Sequence, residues 1–231
     1  MQNKIQERQD WLLIADGEPL SAKTLQKLAQ DRQVMVLDGA YEGALQAGLK
    51  IAILLGDFDT IHPAALEKAK QSCIVVHAPD QNKSDLDKGL EYIDIQHPSS
   101  IVIAAGAGRR LQHTLHNLTA LKRYHNTSRP LLLLTESERI SYHENTVITI
   151  SGSVGDSLGV LGFPSATVSS HGLQYEMHNY ALQFEGQNSV LNALARKEVR
   201  IEMSGGVLLI FENTSHTNYP TRLACFDNWY E

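Results

Sequence analysis

From Trp11 to Leu134, short continuous apolar runs alternate with stretches of helical spacing, and this alternation restricts the chain to layers of helix packed on sheet. The runs Trp11 to Ala15, Val34 to Leu37, Ile51 to Leu55, Cys73 to Val76, Ile101 to Ala105 and Leu131 to Leu134 are apolar throughout. Strands buried on both faces of a parallel sheet read in this way. Between them, Ser21 to Ala29, Tyr41 to Gly48, Pro63 to Gln71, Ser84 to Tyr92 and Leu111 to Tyr124 carry helical patterns, with Leu111, Leu115, Leu118 and Leu121 expected as a buried stripe. The prediction is an α/β fold: a doubly wound, mainly parallel sheet with right-handed crossovers over residues 1–142. Beyond it the texture changes to short β-like segments separated by Gly, Ser and Asn, which predicts a smaller antiparallel β domain over residues 143–231. Within that half, Val199 to Met203 alternates faces, and Ser204-Gly205-Gly206 reads as a hairpin turn into Val207 to Ile210.

Composition narrows the function. The 231 residues are 42% hydrophobic and carry a formal net charge of −6, with Arg109-Arg110 and Lys122-Arg123 as the basic stretches. Nucleic acid and anionic membrane surfaces are therefore not expected partners. Two cysteines, Cys73 in an expected buried strand and Cys225 near the end, supply neither a disulfide framework nor a metal-binding pair. The polar first ten residues and the lack of a long apolar stretch predict a cytoplasmic protein. Tyr219, Phe226, Trp229 and Tyr230 are expected to pack on the β half.

Chemistry concentrates where the strand-like runs stop. Ile51 to Leu55 runs into Gly56-Asp57-Phe58-Asp59-Thr60, and Cys73 to Val76 leads to Asp80-Gln81-Asn82-Lys83-Ser84-Asp85-Leu86-Asp87-Lys88. Ligands of parallel sheets collect beyond the carboxyl ends of the strands. If the chain stays extended through Asp57 and Asp59, both carboxylates point one way and Phe58 points back into the packing. Ser84 is placed to cap the following helix, so Asp57, Asp59, Asp80 and Asp85 are expected near one sheet edge. Carboxylates without Cys or His at ligand spacing select a hard cation such as Mg²⁺, whose remaining ligands are commonly water and phosphate oxygens. A third run, Ile101 to Ala105, ends in Gly106-Ala107-Gly108-Arg109-Arg110 at a helix start, where Arg110 or Arg109 suits a triphosphate. His113 and His116 have no Glu or third His nearby in sequence, so zinc is not expected.

With these motifs in hand, the chain resembles the thiamine pyrophosphokinase family, whose pattern runs GDFDS, DQDxTDxxK and GGRxDHxLxN before a small β domain. The matching residues begin at Gly56, Asp80 and Gly108 and keep the same order and spacing. Ile14-Ala15-Asp16-Gly17 and Val36-Leu37-Asp38-Gly39-Ala40 also resemble the family's first two strand ends, and Gly172-Leu173-Gln174-Tyr175 resembles its GLxY. The resemblance implies transfer of pyrophosphate from ATP to thiamine, giving thiamine diphosphate and AMP, in a Mg²⁺-dependent homodimer with active sites between protomers. It further implies that Asp57, Asp59, Asp80 and Asp85 organise metal and phosphates with Arg110. Gln81, Ser84, Lys88, Gln112 and His113 are then the nucleotide-facing residues, and Leu191 and Asn192 stand where the family's thiamine-pocket turn lies.

The chain departs from the pattern at Asn82, Ser84, Arg109 and Gln112, which replace aspartate, threonine, glycine and aspartate, and at Leu191, which replaces serine. A pyrophosphokinase for another hydroxyalkyl heterocycle, such as a hydroxymethylpterin, would keep the carboxylates while changing the pocket around Leu191. A non-catalytic protein binding nucleotide or thiamine diphosphate would accommodate Asn82 and Gln112.

Overall fold

The structure is a computed structural model that describes residues 9–59 and 61–213. Thr60, Cys225 and the aromatic residues after 213 lie outside the described residues. The chain divides into two compact units, Met1–Thr135 and Glu136–Glu231.

In the first unit, β1 (Asp10–Ile14), β2 (Arg32–Leu37), β3 (Ile53–Gly56), β4 (Ile74–His77), β5 (Ser100–Ala104) and β6 (Leu131–Leu134) pair in parallel. Their order across the sheet is β4-β3-β2-β1-β5-β6. The chain moves outward from β1 to β4 and then returns to place β5 on the other side of β1, so the order reverses between β1 and β5. Crevices open at such reversals, outside the carboxyl ends of the strands. The central strands bury every side chain from Leu12 to Ile14, from Val34 to Leu37 and from Ile101 to Ala104, which explains their continuous apolarity.

β4 departs from the expectation of a buried strand. It is paired with β3 alone, and its Ile74 is 60% exposed. Cys73 lies outside the strand, ending the preceding helix α3 (Pro63–Ser72) half-buried. A short apolar run cannot distinguish an edge strand from a central one, because the difference lies in what covers it.

The other helices are α1 (Ala22–Ala29), α2 (Tyr41–Gln46), α4 (Asp85–Asp94) and α5 (Leu111–Arg123). Helix α4 starts where Ser84 accepts a hydrogen bond from the Asp87 N–H at 3.2 Å, with Asp85 and Asp87 favourably placed in the first turn. Leu86, Leu90 and Ile93 give it a buried stripe. Helix α5 keeps only half of its expected stripe: Leu118 and Leu121 are buried, whereas Leu111 is 73% exposed and Leu115 is also exposed. Its first turns carry apolar residues beyond the part that packs on β6.

The second unit is antiparallel: β7 (Glu138–Glu144), β8 (Val147–Ser151), β9 (Ser157–His171), β10 (Tyr180–Gln183), β11 (Ser189–Ala193) and β12 (Glu198–Asn213). Two long strands organise it. β12 pairs with β8 through Glu198–Glu202 and with β7 through Val207–Asn213, while β9 runs beside both parts. Ile148, Leu158, Val168, Val199, Ile201 and Leu208 fill the core between them.

The expected hairpin at Ser204-Gly205-Gly206 is therefore a bulge inside one continuous strand. The register with β9 shifts there, and Gly206 adopts a φ of +91°. A Cβ on Gly206 would stand 2.2 Å from the Ser165 carbonyl oxygen, so glycine is needed for close approach rather than for chain reversal. Strand β7 is not evident in the sequence, because Glu138, Arg139, Ser141 and His143 hide its β pattern.

Candidate active site

Three carboxylates meet at the carboxyl ends of β2 and β3. Asp38, Asp57 and Asp59 each offer an oxygen, and these oxygens lie within 4.8 Å of one another. Asp38 follows β2 directly and is 6% exposed; its two oxygens accept from the Gly39 N–H at 2.8 Å and the Phe58 N–H at 3.0 Å. Gly56 makes this possible, since a Cβ there would stand 2.5 Å from the Asp38 carboxyl carbon. Burial pushes the Asp38 carboxyl above the usual range, with the charges of Asp85 and Asp57 acting the same way against the two backbone N–H groups.

Asp57 and Asp59 come together by a turn, not by an extended chain. Phe58 has a φ of +66°, and the Asp59 N–H donates to Asp57 Oδ1 at 3.3 Å. Phe58 consequently stacks on His77 with ring centroids 5.6 Å apart instead of entering the core. Gln81 donates from Nε2 to Asp57 Oδ2 at 2.9 Å, and this bond is the main influence holding Asp57 below the usual carboxylate range. The Asp57 charge raises Asp59 in turn. The pair thus shares its site with one carboxylate more readily protonated than the other.

These residues line a cleft of about 420 Å³. Lys88, Arg110 and His113 line the same cleft, together with Gln81, Ser84 and Asp85. Lys88 is nearly buried and bonds Asp85 Oδ1 at 2.8 Å. Arg110 occupies the N-cap of α5 with no side-chain cap on the helix, so the first-turn N–H groups and its guanidinium are available to an anion. Asn117 steadies the β5–α5 loop by donating to the Gly106 carbonyl at 2.7 Å.

Two residues expected at this site, Asp80 and Gln112, are placed outside the cleft. Asp80 does not line the cleft; its Oδ1 accepts from the Asn82 backbone and side chain at 2.9 and 3.1 Å, closing its own turn. Gln112 is exposed on α5 and does not line the cleft, although the adjacent His113 does. Leu191 is 82% exposed. Asn192 is buried with its amide fully engaged: Nδ2 donates to the Tyr175 carbonyl and Ser189 Oγ, while Oδ1 accepts from the Tyr175 and Ala193 N–H groups. It holds the turn carrying Tyr175 and has no capacity left for a ligand.

Asp38 is a cleft carboxylate, as is Asp16, to which the sequence pattern assigns no role. The signal was present, since Asp38-Gly39 follows an apolar run as Gly56-Asp57 does. Missing was the neighbour relation of β2 and β3, which the register Leu37 to Leu55 supplies.

Residues 25–133 match the family model described as the thiamin pyrophosphokinase catalytic domain, and residues 144–208 match that of the thiamin pyrophosphokinase vitamin B1 binding domain. The chain belongs to the thiamine pyrophosphokinase family. It is 28% identical over 229 residues to thiamin pyrophosphokinase 1 of Caenorhabditis elegans, with 87% of each chain covered. The crystal structure of thiamine pyrophosphokinase from Bacillus subtilis superposes with a TM-score of 0.78 at 20% identity, covering 89% of this chain and 99% of that one. Thiamin pyrophosphokinase from Candida albicans gives 0.78 at 16% identity over 90% of each chain. At these identities the likeness establishes the family's fold, an α/β sheet unit followed by antiparallel strands. Among the described residues no helix is long and apolar enough to cross a membrane.

Proposed function

We propose that the chain transfers the terminal pyrophosphoryl group of ATP to the hydroxyethyl oxygen of thiamine. The acceptor oxygen forms a bond to the β-phosphorus, the bridge between the α- and β-phosphates breaks, and AMP leaves with the bridging oxygen. The hydroxyl proton is released. Family membership supports the reaction class, and one geometric observation supports the chemistry: a carboxylate triplet shares a single cleft with Lys88, Arg110 and an uncapped helix start.

An all-oxygen donor set fits Mg²⁺, and Asp57 and Asp59, with Asp38 beneath them, are the residues that would hold it. When bound, such an ion offsets polyphosphate charge and orients the donor. Gln81 keeps Asp57 turned toward its neighbours, while Lys88 and Arg110 bring positive charge to the transferring phosphates. Little covalent participation by the protein is needed, because positioning and charge stabilisation account for most catalysis of phosphoryl transfer. The region matching the vitamin B1 binding domain would supply the acceptor pocket. The same reading makes the protein a cytoplasmic homodimer, for which light scattering should give twice the chain mass.

The test is to incubate the protein with ATP, Mg²⁺ and thiamine and to follow AMP and thiamine diphosphate together by chromatography. Equimolar appearance of both, lost without thiamine or metal, is the expected result. AMP without thiamine diphosphate would point to another acceptor, and nucleotide binding without AMP would overturn the catalytic reading.

A further inference from the structure

Arg109 stands where the family pattern has glycine, and its backbone shows the consequence: its φ is +46°, in the left-handed region that an arginine adopts at a cost. Its guanidinium forms an ion pair with Asp16. Asp16 follows β1 and Arg109 follows β5, so the pair spans the reversal point of the sheet. Both residues line the acidic cleft, and both also line a second, more apolar cavity of about 370 Å³ walled by Leu20, Leu25, Ala44 and Ala47. A ligand that reaches from one cavity to the other passes this pair.

The ion pair is not what holds the two loops together. The Gly17 N–H donates to the Ala105 carbonyl and the Glu18 N–H to the Ala107 carbonyl, each at 2.7 Å, so the backbone already joins the β1 and β5 loops. Both charged side chains are half exposed, and ion pairs of that kind add little stability. An arginine in a strained backbone, bonded to a carboxylate it does not need, beside a second arginine at an anion-favouring helix start, is arranged for exchange. A phosphate offers it a bidentate, more highly charged partner than Asp16.

We propose that Arg109 is a donor-binding residue of this site, resting on Asp16 in the free protein and moving onto the phosphates when a nucleoside triphosphate binds. Asp16 is then a competitor for the guanidinium. The inference rests on the reading of the cleft as a nucleotide site but not on thiamine as the acceptor.

Opposite effects of two substitutions test it. ATP with Mg²⁺ is titrated calorimetrically into the protein without thiamine, and KM for ATP and kcat are then measured with it. Arg109→Gly, which removes the guanidinium and relieves the backbone, is expected to weaken ATP binding about tenfold with the thiamine KM nearly unchanged. Asp16→Asn is expected to tighten ATP binding about threefold, because the arginine is released from its competitor. The double variant should match Arg109→Gly alone, since Asp16 competes only for that group. If both single variants weaken ATP binding together and lower the melting temperature, the pair is a structural brace and the proposal fails. It fails equally if Arg109→Gly leaves ATP binding unchanged, or if the unsubstituted protein does not bind ATP. ATP binding that follows the expected order without thiamine diphosphate formation would uphold the proposal and overturn only the choice of acceptor.

Discussion

At the scale of single residues, the site depends on carboxylates whose environments differ. Asp38 is buried and pushed toward its neutral form, Asp57 is held charged by Gln81, and Asp59 lies outermost under the influence of Asp57. Asp57→Asn should lower AMP formation by at least about a hundredfold, because it removes a charge from the proposed metal and phosphate site. Its melting temperature should stay close to that of the unsubstituted protein, since the side chain caps only its own turn and Gln81. Normal turnover by that variant would remove Asp57 from the metal assignment. Gln112→Ala should change kcat/KM for ATP by less than about threefold, as expected for an exposed residue outside the cleft. A larger loss would show that Gln112 reaches substrate despite its position.

At the scale of elements, two local devices set the geometry on which function depends. Ser84 begins α4, and its hydroxyl also donates to Asp87 Oδ2 at 2.8 Å while its partner helix supplies His116 Nε2 at 3.3 Å. Ser84→Ala should lower stability in urea by about 1 kcal/mol, the usual cost of losing an N-cap, and should weaken ATP binding because Asp85 and Lys88 occupy that same first turn. In the second unit the Gly206 bulge allows β12 to serve both β8 and β7. Gly206→Ala combines a left-handed backbone with a 2.2 Å approach to a carbonyl, so it should destabilise by at least about 1–3 kcal/mol. An unchanged unfolding midpoint would mean that the strand relaxes around the added methyl group.

At the scale of the whole molecule, pH dependence follows from how buried charge is satisfied. Burial alone would raise the Asp87 carboxyl, but hydrogen bonds from Arg123, Ser84 and His116 outweigh it and hold Asp87 below its ordinary value. A carboxylate lowered in the folded state stabilises the protein above its unfolded pKa of about 3.9 and loses that contribution as pH falls through the folded value. Asp87→Asn should therefore destabilise at about pH 7 and narrow the difference in urea midpoint between about pH 7 and about pH 3. An undiminished difference would place the acid-sensitive group elsewhere. Such a network was not legible in the chain, because Asp87, His116 and Arg123 are remote in sequence and meet only when α4 and α5 come together. What could be read were features imposed by local physics: apolar runs buried on both faces, helix caps, and acidic or glycine turns at strand ends. Those determined the α/β class, the family and most of the cleft. Tertiary structure alone decided that Asp38 joins Asp57 and Asp59 while Asp80 does not, that Asn192 is spent on Tyr175, and that Ser204-Gly205-Gly206 bends a strand instead of reversing it. Each of these outcomes depends on which strand or loop lies alongside, and sequence spacing carries no record of that neighbour.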